Sequence, residues 1–398
     1  MSGLKSRSET LHGHALPFEC VALLLQGGGA LGAYQAGVYE GLHAAKIEPD
    51  WIAGISIGAI NSAIIAGNAP EHRLDRLHEF WDSVSDVGDR GWSDLWSGWW
   101  QGDTARGYLN QVAASRAMFS GVPGFYTPRT PPPYLLPAGA PGATSWYDTA
   151  NLKSTLERLV DFDRINAKAI RFSVGAVNVR TGNFAYFDTE THHIRAEHVM
   201  ASGALPPAFD AVEIDGDYYW DGGLVSNTPL DWVLSSYPLL DTLAFQVDLW
   251  SASGHVPRDL AEVAVRIKEV QFSSRTRAST EAFRRNQALR GAFNTVLAAM
   301  PPELAATPEA RLLAKAADPG FYAIAQLIYH SPTYEGQSKD YEFSRATMLD
   351  HWAAGLNDCR RTLAHSEVLQ RPKFAHAVEV YDFSAREHPH PATKDPNS

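Results

Sequence analysis

The first part of the chain alternates short apolar runs with stretches in which apolar residues recur every three or four positions. Val21–Leu25 and Trp51–Ile55 are apolar runs of strand length, and each leads into a glycine-containing turn. Gly32–Ala45 and Ala59–Ala66 follow those turns with the apolar spacing of helices. Strands that alternate with helices form parallel sheets covered on both faces. The pattern therefore predicts an α/β fold with a central, mostly parallel sheet and helices on both faces.

Two hairpins are predicted further along the chain. Ile170–Asn178 and Phe184–Asp188 flank a turn that contains Gly182. Val212–Trp220 is aromatic and β-branched, and it turns at Asp215 and the glycine after it. Short runs of this composition around a glycine turn are typical of β-hairpins. We therefore expect antiparallel strands in addition to the parallel ones.

The last third of the chain is predicted to be mostly helical. Leu243–Trp250 is strand-like, Asp259–Met300 has the spacing of long helices, and Phe374–Phe383 fits a late edge strand. The intervening residues 301–370 are weakly patterned and are predicted as mostly helical. We expect four regions: a flexible arm (1–19), an α/β domain (20–240), a mostly helical C-terminal region (241–385) and a disordered tail (386–398).

A proline-rich segment interrupts the α/β pattern at residues 121–145. Seven prolines lie between Pro123 and Pro141. Each proline fixes φ and lacks an amide donor, so the segment is unsuited to a sheet strand. The sheet pattern resumes after it, so we predict an excursion within one domain, either a cap or an ordered loop, and not a linker.

A tryptophan stripe precedes this excursion. Trp92, Leu95, Trp96, Trp99 and Trp100 fall on one face of a helix. Such a stripe packs into a core in most globular proteins. Because tryptophan combines an apolar body with a polar edge, an acyl-binding wall, a lid or an interfacial anchor is the alternative. The sequence leaves the alternatives open.

Composition and charge narrow the class of protein. The 398 residues are 45% hydrophobic and 20% charged, which suits a large core and excludes global disorder. A net charge of −11 argues against nucleic acid as the main partner and against charge-driven membrane binding. Two cysteines, Cys20 and Cys359, are too few for a disulfide framework or a zinc cluster. No targeting segment or membrane span stands out, so we expect a cytoplasmic protein.

The turn after the second predicted strand has the form of a nucleophile elbow. Gly54 and Gly58 flank Ser56 in a Gly-x-Ser-x-Gly pattern directly between a strand and a helix. The glycines permit a tight turn from which the Ser56 hydroxyl projects, and the helix N-terminus favours developing negative charge there. An unreactive Gly/Ser turn is the alternative. The strand–turn–helix context favours a nucleophilic serine.

The turn after the first predicted strand is a glycine loop. Gly27, Gly29 and Gly32 have the spacing of a dinucleotide-binding fingerprint, with Gly28 between them. That site needs an acidic residue at the end of the second strand, but the nearby acid, Asp50, precedes it. A nicotinamide site is therefore disfavoured. Exposed backbone amides of such a loop also suit the oxyanion of a tetrahedral acyl intermediate.

A candidate base follows the second hairpin. Asp221 begins an Asp-Gly-Gly turn, which places a carboxylate on a loop that is able to approach Ser56. Histidine is the usual alternative base, and His192, His193 and His198 come nearest to such a loop. Their spacing singles none of them out, so a Ser–His–Asp triad stays open beside a Ser–Asp dyad.

These motifs together resemble the patatin-like phospholipase family. The resemblance rests on four ordered motifs within about residues 20–235: the glycine loop 27–32, the elbow 54–58, Ala201-Ser202-x-x-x-Pro206, and Asp221-Gly222-Gly223 followed by Asn227-Thr228-Pro229. It implies a three-layer α/β sandwich, and the long C-terminal region resembles the extension of a bacterial subgroup. Family members often carry Arg or Lys where this chain has Leu31.

The resemblance implies a serine acyl hydrolase of lipid esters that needs neither metal nor cofactor. Ser56 is then the nucleophile and Asp221 the base, while Gly28 and Gly29 donate to the oxyanion and Gly27 and Gly32 shape the loop. Leu31 makes ester hydrolysis a firmer expectation than a phospholipid preference. An esterase of other apolar esters, such as hydroxyalkanoate oligomers, and a catalytically silent lipid-binding or scaffolding protein are the alternatives. Peripheral contact with a membrane or lipid aggregate is a further expectation.

Overall fold

The computed structural model describes residues 16–85, 103–236, 238–318, 320–332, 334–372 and 378–383, without the side chains of 103–105 and 274–277. The tryptophan stripe at 92–100 lies outside the described residues. So do residues 1–15 of the predicted arm and the predicted tail.

Most strand bounds agree closely with the predicted runs, but three strands were not predicted, and one of these, Thr127–Pro128, lies in the proline-rich segment that was predicted to hold no sheet strand. The strands are β1 (Cys20–Leu25), β2 (Trp51–Gly54), β3 (Thr127–Pro128), β4 (Tyr147–Asp148), β5 (Arg171–Asn178), β6 (Phe184–Asp188), β7 (Val212–Ile214), β8 (Asp217–Asp221), β9 (Thr242–Asp248), β10 (Tyr322–Ile328) and β11 (Val378–Asp382). Nine of them form one sheet in the order β11-β10-β9-β1-β2-β5-β8-β7, and β6 pairs with β5. The first six in this order are parallel neighbours. Both predicted hairpins are confirmed as antiparallel pairs, β5–β6 and β7–β8.

Helices cover the sheet. They are α1 (Ala33–Ala44), α2 (Ile57–Ala66), α3 (Arg73–Ser85), α4 (Asp103–Ser120), α5 (Ala150–Leu159), α6 (Phe162–Asn166), α7 (Ala196–Ser202), α8 (Leu230–Ser235), α9 (Leu260–Ala298), α10 (Pro302–Ala305), α11 (Pro308–Ala316) and α12 (Arg345–Leu363). The predicted helical stretch at 259–300 is a single helix of 39 residues, α9. The predicted α/β fold with a mostly parallel central sheet and a helical C-terminal region is confirmed.

The C-terminal region also contributes strands to the central sheet. β9, β10 and β11 lie within residues 241–385 and extend the sheet from β1. The prediction of mostly helix for 301–370 was wrong at β10, which pairs along its whole length with β9. β10 is apolar and almost entirely buried. A short run of this kind lacks the alternation that marks a half-exposed strand, so its pattern cannot be distinguished from that of a helix.

Strand pairing along β5 decides where the candidate site residues meet. β2 runs parallel to β5 and ends with Gly54 opposite Val174. β8 runs antiparallel to β5 and ends with Asp221 opposite Ala176. Since β6 occupies the other edge of β5 over Ser173–Val177, β2 and β8 share one edge. Their ends therefore face each other, two residues apart along β5.

Helix α12 packs closely against α1, which follows the glycine loop. A Cβ at Gly37 would lie 1.9 Å from the Trp352 carbonyl oxygen, and a Cβ at Gly355 would lie 1.9 Å from the Tyr34 carbonyl oxygen. Separations this short exclude a side chain, so the two helix backbones touch where these glycines cross. The C-terminal region is thereby joined to the part of the chain that carries the glycine loop.

Candidate active site

The elbow places Ser56 between the end of β2 and the start of α2. Its backbone has φ +56° and ψ −124°, a conformation that costs a non-glycine residue energy. A Cβ at Gly54 would lie 2.3 Å from the Gly58 carbonyl oxygen, and one at Gly58 would lie 2.2 Å from that of Leu25. The two glycines therefore allow the turn to close tightly over β1. This is the geometry that the Gly-x-Ser-x-Gly pattern predicted.

The structure brings Ser56 and Asp221 into direct contact. Ser56 Oγ donates a hydrogen bond of 2.7 Å to Asp221 Oδ2, and the Gly223 amide donates one of 2.7 Å to Asp221 Oδ1. Asp221 is buried, and each of its oxygens has one donor. The Ser56 amide in turn donates to Ser202 Oγ at 3.0 Å. Ser202 belongs to the Ala201-Ser202-x-x-x-Pro206 motif, for which the sequence predicted no function.

Burial raises the pKa of the Asp221 carboxyl to about 6, while the hydrogen bonds from Ser56 and Gly223 oppose the rise. A carboxylate with this pKa is ionised at neutral pH and is a stronger proton acceptor than an exposed aspartate. The group is therefore suited to accept the Ser56 hydroxyl proton.

The glycine loop presents two amides that have no hydrogen-bond acceptor among the described residues. The Gly27 amide donates to the Asn227 carbonyl at 3.4 Å, and the Ala30 amide donates to the Asp340 carbonyl at 2.8 Å. Among the described residues, none accepts a hydrogen bond from the amides of Gly28 and Gly29. Both glycines line the cavity that contains Ser56. The two predicted oxyanion donors are thus the loop amides left available to a ligand.

Steric contacts explain the glycines of this loop. Gly29 has φ +57°, and a Cβ there would lie 2.0 Å from the Asp340 carbonyl oxygen. A Cβ at Gly27 would lie 2.5 Å from Asn227 Oδ1, and a Cβ at Gly32 would lie 2.5 Å from Ile57 Cγ1. Gly27 and Gly32 therefore let the loop approach the elbow, as the prediction that they shape the loop requires.

A buried polar network holds the start of the loop, and sequence reasoning missed it. The side-chain oxygen of Gln26 accepts hydrogen bonds from the Leu249 and Trp250 amides at 2.7 and 3.1 Å. The Gly27 carbonyl accepts from Asn227 Nδ2 at 3.0 Å and from Trp250 Nε1 at 2.9 Å. Gln26 precedes the glycines in the sequence, but only its burial shows that it is structural.

The site opens into an apolar cavity of about 360 Å³. Its aromatic lining side chains are Phe125, Tyr126, Tyr147, Phe209, Trp250, Phe272, Tyr341 and Phe343. Phe125 and Tyr126 come from the proline-rich excursion, which therefore forms part of the cavity wall. None of the described lining residues is Arg, Lys or His, and Leu31 is fully buried in the core.

The candidate histidines lie elsewhere. His198 Nδ1 accepts a hydrogen bond from the Arg195 amide at 2.9 Å, and its ring packs edge-on against Phe187. Burial lowers the pKa of His198 to about 4. His192 contacts the Thr191 hydroxyl. The geometry therefore favours a direct Ser–Asp pair over a triad.

Among the described residues, no three His, Cys, Asp or Glu side chains converge as metal ligands. Among the same residues, no helix combines the length and the apolarity needed to span a bilayer.

The comparison with protein families decides the family of the chain. The model of the patatin-like phospholipases matches residues 23–234. The chain belongs to this family. A second model, described as patatin phospholipase, matches residues 270–375, so the C-terminal extension of this patatin-like phospholipase is also shared with relatives. No curated protein matches the chain.

Two solved structures are similar to this patatin-like phospholipase at low identity. VipD from Legionella pneumophila is 14% identical with a TM-score of 0.39, and the match covers 87% of this chain and 66% of that one. A structure of the heterodimeric ExoU–SpcU complex from the type III secretion system of Pseudomonas aeruginosa is 16% identical with a TM-score of 0.25. That match covers 66% of this chain and 51% of the other.

Proposed function

We propose that this chain is a serine hydrolase that cleaves carboxylic esters of lipid-like, apolar substrates. The observation that carries the proposal is the 2.7 Å hydrogen bond from Ser56 Oγ to Asp221 Oδ2. Beside it lie two loop amides that no described residue engages as an acceptor. Family membership supports an acyl hydrolase with a lipid substrate. The proposed catalytic residues all lie within the α/β domain, 20–240.

In the proposed acylation step, Ser56 Oγ attacks the ester carbonyl carbon and its proton passes to Asp221 Oδ2. The carbonyl oxygen becomes an oxyanion that accepts hydrogen bonds from the Gly28 and Gly29 amides. The intermediate then collapses, the bond to the alcohol breaks, and Asp221 returns the proton to the leaving oxygen. The products are the free alcohol and an acyl ester on Ser56.

In the proposed deacylation step, a water molecule replaces the alcohol. Asp221 accepts a proton from this water as it attacks the acyl carbon, and the same two amides stabilise the second oxyanion. Ser56 leaves with the proton from Asp221, which releases the carboxylic acid. The Gly223 amide holds Asp221 Oδ1 throughout, so Oδ2 stays directed at Ser56.

The cavity favours acyl groups and uncharged alcohols. Its wall is largely aromatic, and none of its described lining residues carries a positive charge that would pair with a phosphate. This observation favours neutral esters as substrates. It therefore also supports the second candidate function, an esterase of hydroxyalkanoate oligomers. It supports phospholipid cleavage less, since phosphate recognition normally uses Arg, Lys or backbone amides.

A fluorophosphonate probe and a short p-nitrophenyl ester test the reaction. Wild type should be labelled and active, whereas Ser56→Ala should lose both labelling and hydrolysis while it remains folded. Asp221→Asn should lose about 10²-fold or more in kcat, as expected for loss of a general base. An unlabelled, inactive wild type would favour the silent lipid-binding alternative, and a fully active Ser56→Ala would refute the mechanism.

A matched panel of esters tests which class of substrate the enzyme prefers. Diacylglycerol, phosphatidylcholine and a 3-hydroxybutyrate oligomer should be compared at equal ester concentration. We expect kcat/KM for the neutral esters to exceed that for phosphatidylcholine. The opposite order would contradict the expected preference for neutral esters.

A further inference from the structure

A buried histidine–carboxylate pair lies next to the glycine loop. His351 in α12 and Glu335 are both almost completely buried, and His351 Nε2 lies 2.9 Å from Glu335 Oε1. The Tyr329 hydroxyl donates a hydrogen bond of 2.7 Å to the same carboxylate oxygen. The other ring nitrogen, His351 Nδ1, lies 3.4 Å from the Ala30 carbonyl oxygen in the loop. The pair thus links the C-terminal region to the candidate oxyanion site.

The contacts of His351 define its protonation. A carbonyl oxygen accepts hydrogen bonds only, so Nδ1 must carry a hydrogen to bond Ala30, and Nε2 must carry one to bond the ionised Glu335. Burial alone would lower the pKa of His351, but the Glu335 carboxylate, the Ala30 carbonyl and the Glu342 charge together raise it. Burial would raise the pKa of Glu335, but His351, the Tyr329 hydroxyl and Lys339 together lower it. A protonated ring satisfies both contacts at once, and the directions of both pKa shifts favour it.

Two peptide groups, joined by a hydrogen bond, connect His351 to the cavity. His351 Nδ1 faces the Ala30 carbonyl, and the other end of that peptide group, the Leu31 amide, donates to the Gly28 carbonyl at 3.2 Å. The Gly28 carbonyl shares its peptide group with the Gly29 amide. In a trans peptide the C=O and N–H bonds point in opposite directions, so the Gly29 N–H is the free end of this chain. That free end is one of the two amides proposed to bind the oxyanion.

A second contact from the C-terminal region fixes the same turn. The Asp340 carbonyl accepts the Ala30 amide at 2.8 Å. The Asp340 carboxylate is held by Lys268 Nζ of α9, at 2.7 and 2.9 Å. Both the amide and the carbonyl of Ala30 are therefore held by residues beyond position 330.

We propose that His351 is a positioning residue for the oxyanion site, which it orients and polarises through the Ala30 and Gly28 peptide groups, and that Glu335 keeps it in place. Hydrogen bonds in series strengthen one another in a low-dielectric interior. The loop 26–32 itself contains no charged residue, and a protonated His351 places a positive charge beside the Ala30 carbonyl. This gives the C-terminal extension an indirect part in the reaction, through the backbone of the glycine loop.

The inference rests on the proposed function, because it concerns the stabilisation of an acyl oxyanion. Removal of one oxyanion donor costs about 10²–10³ in kcat. His351 acts through two peptide groups, so its loss should cost less, on the order of tenfold. The oxyanion forms after binding, so KM should change little.

The experiment compares His351→Gln and Glu335→Gln with wild type. Both variants remove the imidazolium: the first deletes the ring, and the second removes the carboxylate that keeps the buried ring charged. The measurements are kcat and KM for p-nitrophenyl butyrate and the inhibition constant of a butyl trifluoromethyl ketone. This ketone adds to the serine and leaves an oxyanion in the site. We expect kcat to fall and the inhibition constant to rise by the same factor, about tenfold, with KM within twofold.

The control variant is Tyr34→Phe. It deletes the hydrogen bond of 2.8 Å from the Tyr34 hydroxyl to Asp358, which also joins α1 to α12 but does not touch the loop. Its melting temperature should fall while its kcat and inhibition constant stay near those of wild type. If His351→Gln and Glu335→Gln resemble this control, or if only KM changes, His351 has a structural role alone and the proposal is wrong.

One measurement does not depend on any variant folding. In ¹⁵N NMR spectra of the wild-type protein at pH 7.5, both ring nitrogens of His351 should have the chemical shifts of a protonated imidazole. The spectrum of a neutral ring overturns the proposal. If wild type fails to hydrolyse the ester or to bind the ketone, the proposed function fails instead, so the two failures are distinguishable.

Discussion

Asp221→Asn should make the protein less active and more stable at neutral pH. In wild type, burial raises the pKa of the Asp221 carboxyl from 3.8 to about 6. A raised pKa means that ionisation costs more free energy in the folded state than in the unfolded state. Asparagine has nearly the same shape but no charge, so the variant avoids this cost.

The size and sign of the effect follow from the two pKa values. Between pH 4 and pH 6 the folded state binds more protons at this position than the unfolded state. The free energy of unfolding of wild type therefore falls as the pH rises through this range. Each pKa unit corresponds to about 1.4 kcal/mol, so the full loss is roughly 3 kcal/mol above pH 6. It is absent below pH 4, where both states hold the proton.

Asparagine can also keep both hydrogen bonds of the carboxylate. Its side-chain oxygen accepts from the Gly223 amide, and its amide nitrogen donates to Ser56 Oγ, which then acts as an acceptor. The substitution therefore leaves no buried polar atom without a partner at this site. A variant that is more stable but less active is the expected sign of a catalytic group whose burial costs stability.

The assay is urea unfolding of wild type and Asp221→Asn at pH 4, 5, 6 and 7.5. All other titrating groups are common to both proteins, so their contributions cancel in the difference. We expect that difference to be smallest at pH 4 and to grow in favour of the variant by roughly 3 kcal/mol at pH 7.5. Ser56→Ala is the matched control, because it keeps the carboxylate, removes its donor and should steepen the loss. A difference that does not change with pH would refute the reasoning.

Four further predictions concern the site and its support. Gly29→Ala should lower kcat at least tenfold, because its Cβ would meet the Asp340 carbonyl at a φ of +57°. Gly355→Ala should lower the melting temperature by forcing α12 away from Tyr34, whereas fluorophosphonate labelling of the folded fraction should persist. Ser56→Gly should be about 1 kcal/mol more stable than Ser56→Ala, because glycine adopts φ +56° without strain; equal unfolding midpoints would contradict this. The kcat/KM of wild type should rise with pH through an apparent pKa of about 6 as the base ionises.

Local patterns in the sequence determined the central fold and the candidate residues. The apolar runs of β1 and β2, each ending in glycines, predicted two strand–turn–helix units within a residue or two of their bounds. The elbow and the glycine loop were predictable for the same reason, since a tight turn needs particular residues at consecutive positions. The family resemblance then identified Asp221 as the expected base, which an isolated Asp-Gly turn could not do.

Tertiary structure decided everything that depends on distant parts of the chain. Ser56 and Asp221 are 165 residues apart, and they meet because β2 and β8 end face to face on one edge of β5. β10 was not predicted, because a strand buried on both faces lacks the alternation of apolar and polar residues that identifies a half-exposed strand. The contact of His351 with Ala30 spans 321 residues and leaves no local pattern. A sequence pattern records the conformation of neighbouring residues, whereas these contacts depend on strand order and helix packing, which are set only when the whole chain folds.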